Sequence, residues 1–191
     1  MTCKKMLAPV GIQFHLANVA MPALKSPPGF TIIELLVVVA VIGVLMSLLF
    51  PAVQGALDSA KKAQAKNDAM QIATAIVAYD TEYGRLPDTN SPQTVSGNVL
   101  GALTGSNTTL NPRKIIFLEV LNYKKGKGGI DSSGKFVDPW AKPYYVALDG
   151  DYDNQIGVST NGSASTNATI MKKVGVWNEN TNSRQQVRSW D

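Results

Sequence analysis

Three aspartates alternate in "LDGDYDNQIG": Asp149, Asp151 and Asp153, with Asn154 following. Oxygen donors at alternate positions suit Ca²⁺, a hard cation that takes about six to eight such ligands. The run is not an EF-hand, because its sixth position is Asn154 rather than glycine and its twelfth is Thr160 rather than glutamate. Two readings stay open, a calcium site on these three carboxylates or a solvated acidic hairpin. Other chemistry is short of material. The single histidine, His15, and the single cysteine, Cys3, both precede Gly29. Beyond Gly29 there is nothing for a Cys or His nucleophile system, a disulfide or the usual zinc ligand set. The aspartates gather on one apparent turn instead of facing each other across a cleft, so the chain reads as non-enzymatic.

A different carboxylate sits where physics disfavours it. In "GFTIIELLVVVAVIGVLMSLLFPAV", residues 29 to 53, Glu34 interrupts an otherwise apolar run. A carboxylate at a bilayer centre costs about 2.5–3.5 kcal/mol on insertion scales. From Leu35 to Phe50 no residue is charged. As a helix, residues 30 to 53 reach roughly 36 Å, enough to cross a hydrocarbon layer of about 30 Å. Lys4, Lys5 and Lys25 lie before the run and place that end in the cytoplasm. An ordinary secretory signal puts its apolar region before the cleavage site. Here a cut after Gly29 would leave the apolar helix on the mature chain.

The leader also distorts the bulk charge. The whole chain is formally +4, but the part after Gly29 carries 15 basic and 14 acidic side chains. A near-neutral chain offers no electrostatic footprint for nucleic acid. The lysine-rich "YKKGKGG" at 123 to 129 reads as an exposed loop.

Gly29, Phe30, Glu34 and Pro51 stand in the register of the type IV pilin superfamily, which includes the pseudopilins of type II secretion, and this segment resembles that family's N-terminus. The resemblance implies cleavage between Gly29 and Phe30 by a membrane-embedded prepilin peptidase, and N-methylation of Phe30 by the same enzyme. It gives Glu34 a purpose. A cationic amine on Phe30 of one subunit would neutralise Glu34 of its neighbour where the dielectric is low. "DPWAKPYYV", residues 138 to 146, is similar to a segment of the major pseudopilins, with Ala141 where that family has glycine. The closing "RSWD" is similar to that group's tail. Many major pseudopilins hold calcium nearer the C-terminus, but here that region reads "WNENTNSRQQVRSWD", with Arg184, Arg188 and few carboxylates. A leader of 29 residues is long for the superfamily, and translation from Met1, Met6 or Met21 would each supply one.

The elements expected to position these residues form an α+β, pilin-like fold. Residues 1–29 are the leader, 30–53 a transmembrane and filament-core helix, 54–83 its amphipathic continuation, and 84–191 a soluble periplasmic domain. Pro51 should kink or locally melt the helix. Val53, Leu57, Ala60, Ala63, Met70, Ala73 and Val77 suggest the packed stripe. The small residues Ala56, Ala60, Ala63, Ala65 and Ala69 reflect either helix propensity or close packing. "YGRLPD" stops the helix. A short helix is expected around Val95 to Leu103, and another to Leu121 with Asn111 as N-cap and Pro112 at its first position. "KFVDPW", "KPYYVALDGD" and "KKVGVWN" read as strands of a small antiparallel sheet, Tyr144, Val146 and Leu148 alternating with Tyr145, Ala147 and Asp149. The Asn-, Ser- and Thr-rich 159–169 stretch reads as a surface patch or a disordered loop.

These features point to a structural subunit of a helical homo-oligomer, a type II secretion pseudopilus. A type IV pilin of a surface fibre for adhesion, motility or DNA uptake is the alternative. The resemblance implies further partners: minor pseudopilins, the prepilin peptidase and an inner-membrane assembly platform, with lipid around the helix before assembly. The expected location is the inner membrane, single-pass, with the N-terminus cytoplasmic and the domain periplasmic, followed by a filament that spans the periplasm or extends outside. No cofactor is expected beyond a possible Ca²⁺.

Overall fold

A computed structural model describes residues 29 to 191. The leader, Cys3, His15 and the three candidate start codons lie outside the described residues, apart from Gly29. The chain divides into two units, Met1–Val44 and Leu45–Asp191.

One helix, α1, runs Ile32–Tyr83 with Pro51 inside it. Its helical assignment is unbroken through Pro51, so the expected local melting does not occur. Proline costs the helix one amide donor, but the bonds on either side hold the remaining turns. Residues 29 to 60 are exposed throughout, apolar side chains included. From Ala65 onward one face is buried, through Ala65, Ala69, Ile72, Ile76 and Tyr79.

That face is not the expected stripe. Val53, Leu57, Met70 and Val77 are all about half exposed. At 100° per residue, Met70 and Val77 lie roughly 120–140° around the helix from Ala65. The actual seam repeats at intervals of four and three from Ala65 to Tyr79. Two of the five small residues, Ala65 and Ala69, are fully buried in it. Their size lets the sheet approach closely, and the Tyr144 hydroxyl donates to the Ala65 carbonyl oxygen at 3.1 Å.

The remaining elements are short: β1 (Gln93–Thr94), α2 (Gly97–Thr104), β2 (Gly129–Ile130), β3 (Phe136–Val137), β4 (Tyr144–Leu148), β5 (Ile156–Val158), β6 (Ala168–Ile170) and β7 (Val174–Asn178). Strands β1, β4 and β7 form an antiparallel sheet in that order, and β2–β3 and β5–β6 are separate antiparallel pairs. The long helix followed by a small antiparallel sheet makes this an α+β, pilin-like fold. Helix α2 fulfils the expected short helix, and Gly105 ends it with φ 74°.

Strand β4 is covered on both faces. Tyr144, Val146 and Leu148 join the cluster that contains the α1 seam and α2. Ala147 packs with Ile156, Val158 and Trp177 in a second cluster, with Tyr145 against it. The expected half-exposed strand is thus a central one, because the β5–β6 pair covers its back. The 159–169 stretch is the connection of that pair. It is tied down by the Trp177 indole donating to the Ser163 carbonyl at 2.9 Å and by Arg188 donating to the Thr160 carbonyl at 2.7 Å.

No helix follows Asn111. Lys114 has φ 53°, which ends any helical run there. Asn111 is fully buried and organises a loop instead: its amide donates to the Ala102 and Ile115 carbonyls, and its carbonyl oxygen accepts from the Ile115 amide and the Tyr83 hydroxyl. Tyr79, Tyr83 and Phe117 pack around this loop in tilted and edge-on contacts with ring centroids 4.8–6.2 Å apart.

Ala141 has φ 62° in the turn where glycine was expected. The left-handed conformation costs a side-chain-bearing residue about 1–2 kcal/mol, partly offset by glycine's greater freedom when unfolded. Ala141→Gly should therefore stabilise the chain by about 0.5–1 kcal/mol, a rise of roughly 1–4 °C in melting temperature in detergent solution. An unchanged or lower melting temperature would show that the turn relaxes to accommodate alanine.

Candidate functional site

The helix begins with a reciprocal cap. The Thr31 amide and hydroxyl both donate to Glu34 Oε2, at 2.8 and 2.7 Å, and the Glu34 amide donates to Thr31 Oγ1 at 3.3 Å. Sequence T-I-I-E is thus a capping box, in which residue N3 satisfies the amide of the N-cap. The Leu35 amide closes the first turn onto the Thr31 carbonyl at 3.3 Å. This local role was legible in the Thr-x-x-Glu spacing but was masked by the question of charge. Gly29 and Phe30 precede the helix in exposed, non-helical chain, and Phe30 is 80% exposed. Gly29, Phe30 and Glu34 therefore stand together at one end of α1, with Pro51 well along the same helix. Helix α1 is long and apolar enough to cross a membrane.

The three aspartates do converge. One ligand oxygen from each of Asp149, Asp151 and Asp153 lies within 4.8 Å of the others. Two ligands on opposite sides of a Ca²⁺ ion are about 4.8 Å apart when each bond is ~2.4 Å, so one coordination sphere can span the set. Asp149 is buried, while Asp151 and Asp153 are exposed. Asp149 accepts amide hydrogen bonds from Asp153 and Asn154 at 3.1 and 2.9 Å, and these shape the loop. Tyr152 and Asn154 both adopt positive φ there, 59° and 62°. The donor type and spacing fit a hard cation, with Asp151 and Asp153 exposed and one Asp153 oxygen held by the Gln155 amide at 2.7 Å.

A third constellation was only partly foreseen. Asp138, in the "DPW" turn, is fully buried. Its Oδ1 accepts from the Trp140 and Lys142 amides at 2.9 and 2.8 Å, and its Oδ2 from the Asn178 side chain at 2.7 Å. Asn178 also donates to the Gln185 carbonyl and accepts from the Val187 amide. One carboxylate thereby joins the turn, β7 and the C-terminal segment. Burial pushes the Asp138 carboxyl above its usual range despite these hydrogen bonds. Asp68 of α1 lies close by, accepting from the Tyr144 hydroxyl at 3.4 Å. Burial pushes it up to about 6, the Tyr144 hydrogen bond opposing and the Asp138 charge adding to the rise.

Comparison with known proteins agrees with this geometry. Residues 26–50 match the model of the prokaryotic N-terminal methylation motif. The chain is 34% identical over 130 residues to the type II secretion system core protein G of Pseudomonas aeruginosa, covering 66% of this chain and 77% of that protein. It is 28% identical to the core protein G of Aeromonas hydrophila, covering 81% of this chain and 94% of the relative. The type IV major alpha-pilin of Moraxella bovis is 31% identical over 99 residues, covering 51% of this chain and 60% of that pilin. No solved structure matches significantly. Fold, N-terminal motif and relatives together define a pilin-like filament protein. Within that class, the chain belongs to the type II secretion system core protein G family.

The Asp68 carboxyl has a testable consequence. Its folded-state pKa is raised, so its contribution to stability is fully present below about pH 3.8 and is lost as pH rises through about 6. Asp68→Asn should match the wild type in melting temperature near pH 4. Above pH 7 the variant should exceed it by the equivalent of about 1 kcal/mol, a figure already reduced for the group's partial exposure. A pH-independent difference would mean that Asp68 is ordinarily solvated.

Proposed function

We propose that this chain is a structural subunit of the type II secretion pseudopilus. It is cleaved after Gly29, methylated on Phe30, held in the inner membrane by residues 30–53 with its domain in the periplasm, and then drawn into a helical filament of like subunits. Its role is mechanical, not enzymatic. The observation that carries this reading is the exposed apolar run of α1, which opens with the Thr31–Glu34 capping box just after Gly29-Phe30. An apolar surface of that length needs lipid or neighbouring helices to remove it from water. The relatives named as core protein G support a secretion role. Minor pseudopilins, the prepilin peptidase and the inner-membrane platform follow as partners on the same reading.

Glu34 does two jobs on this view. In the single subunit it caps its own helix. In the filament it faces the methylated amine of a neighbour, where a pair of opposite charges is strong for want of solvent. Glutamine at this position can still close the capping box but carries no charge. Glu34→Gln should leave membrane insertion and Gly29 cleavage intact yet reduce crosslinked oligomers at least tenfold, whereas Thr31→Ala should keep more assembly than Glu34→Gln. Normal filament formation by Glu34→Gln would remove charge pairing from the mechanism. Deletion of the gene should abolish a defined set of secreted proteins without altering surface fibres. Intact secretion with missing fibres would favour the pilin reading, for which the Moraxella relative is the supporting observation.

The three converging aspartates support a calcium site in the same subunit. Asp149, Asp151 and Asp153 would hold the ion and lock the loop after β4. Adding millimolar Ca²⁺ to the chelated protein should raise its melting temperature by a few degrees, about 1–2 kcal/mol at tenfold excess over Kd or more. The shift should vanish in Asp151→Asn/Asp153→Asn. An equal shift with Mg²⁺, or none in the wild type, would leave the loop as a solvated acidic turn.

A further inference from the structure

A groove of about 420 Å³ opens beside α1 just beyond its apolar run, among Gly55, Asp58, Lys62, Trp140, Arg184 and Gln185. All belong to the unit Leu45–Asp191. Three charged side chains line it, two cations and one anion. Asp58 and Lys62 stand one turn apart, yet among the described residues no ion pair joins them, and Arg184 has none either. The Arg184 guanidinium makes no side-chain hydrogen bond, and only its backbone amide donates, to Asn182. Lys62 and Arg184 are exposed and Trp140 is half-buried. A site of this volume lies within the usual range of small-ligand pockets, about 300–1,000 Å³.

Its height along the helix identifies the occupant. If the hydrocarbon layer ends near Val53, Gly55 lies about 3 Å and Lys62 about 13 Å further out along the helix axis. The headgroup layer is about 5–7 Å thick on each side of a bilayer. Helix side chains lean back toward the N-terminus, here the bilayer side, and the long Lys62 stem can snorkel, so its ammonium and Asp58 both reach headgroup level. Trp140 is the side chain type enriched at that boundary, with an apolar body and one N–H.

We propose that this groove holds the headgroup of an ethanolamine phospholipid, with Lys62 and Arg184 on the phosphate and Asp58 on the ammonium. The assignment rests on the reading that residues 30–53 cross the bilayer. The charges on the wall match those of the ligand. Guanidinium and ammonium groups bind a phosphate diester through charge-assisted hydrogen bonds. A primary ammonium donates to Asp58, a choline group has no N–H to donate, and a glycerol headgroup offers no cation. The lipid would orient the domain against the membrane before assembly and would be released as the subunit is extracted.

The test uses the full mature chain reconstituted into vesicles of equal parts ethanolamine, glycerol and choline phospholipids, with flotation to check insertion. Retained lipid is then counted by native mass spectrometry after gentle detergent extraction. The wild type should keep one phospholipid, ethanolamine over choline by about tenfold, the worth of one hydrogen bond to a charged group. Lys62→Ala/Arg184→Ala should lose it, and Asp58→Asn should bind without that preference. Gly55 has no atom within 4 Å of where a Cβ would stand, so Gly55→Leu is sterically permitted and should block the groove without changing charge. Equal retention by the wild type and the two blocking variants, or a preference for glycerol lipid, would overturn the assignment while leaving the membrane reading intact. Failure of the wild type to float with the vesicles would overturn both.

Discussion

One constraint governs this molecule: a single helix is apolar and exposed in its first half and buried against a domain in its second. Up to residue 60 α1 has no buried residue, and from Ala65 it carries a fully buried seam. Burying a large aliphatic side chain stabilises by about 1.5–3 kcal/mol relative to leaving it in water. More than a dozen such side chains between Phe30 and Val53 are about half exposed or more. That surface acts as a driving force held in reserve for lipid or for other helices. The second half has to be fixed tightly enough that the domain moves with the helix, and the seam of Ala65, Ala69, Ile72, Ile76 and Tyr79 does this.

The division explains which parts of the chain were legible. A long uncharged run reads as helix, and the start of that helix after Gly29 and its stop near Tyr83 follow from composition and punctuation. The seam was harder to read. From Leu35 to Phe50 the helix is apolar on nearly every face, so the apolar Val53 and Leu57 that follow carry little information about direction. Met70 and Val77 then extend a false stripe about a third of a turn from the real one. Alanine marked the true face, but alanine alone does not distinguish close packing from helix propensity. Here the close packing is visible in the Tyr144 hydroxyl bonded to the Ala65 carbonyl.

Short elements were lost for a different reason. Strands β1 and β2 are two residues long, too short for any alternation, whereas β3 falls inside the "KFVDPW" run that read as a strand. The expected helix after Asn111 failed because the N-cap side chain and the proline behind it also suit a turn. Asn111 bonds the Ile115 amide across a left-handed Lys114, and so serves the loop rather than a helix start. Of the candidate site, Gly29, Phe30 and Glu34 could be picked out from type and spacing, and so could the three aspartates. Asp68 could not. Nothing local in "KNDAMQ" marks a carboxylate that tertiary packing will half bury beside Asp138.

Asp138 shows how so irregular a domain is held. Beyond Gly29 the chain has no cysteine, so no disulfide can close the C-terminal segment. The segment is fastened at separate points instead. Asn178 links it to Asp138, the Ser189 amide and hydroxyl bracket Val176 at 2.8 and 2.9 Å, and Lys66 donates to the Asp191 backbone oxygen at 2.7 Å. Each such bond contributes only about 1 kcal/mol net, but removing one partner of a buried set costs more than the bond itself, because the other group is left without solvent. A buried carboxylate with both oxygens engaged therefore fixes geometry more strongly than it stabilises. It also binds the "DPW" turn, β7 and the tail to one another, and the same body packs on the α1 seam through Tyr144 and Val176.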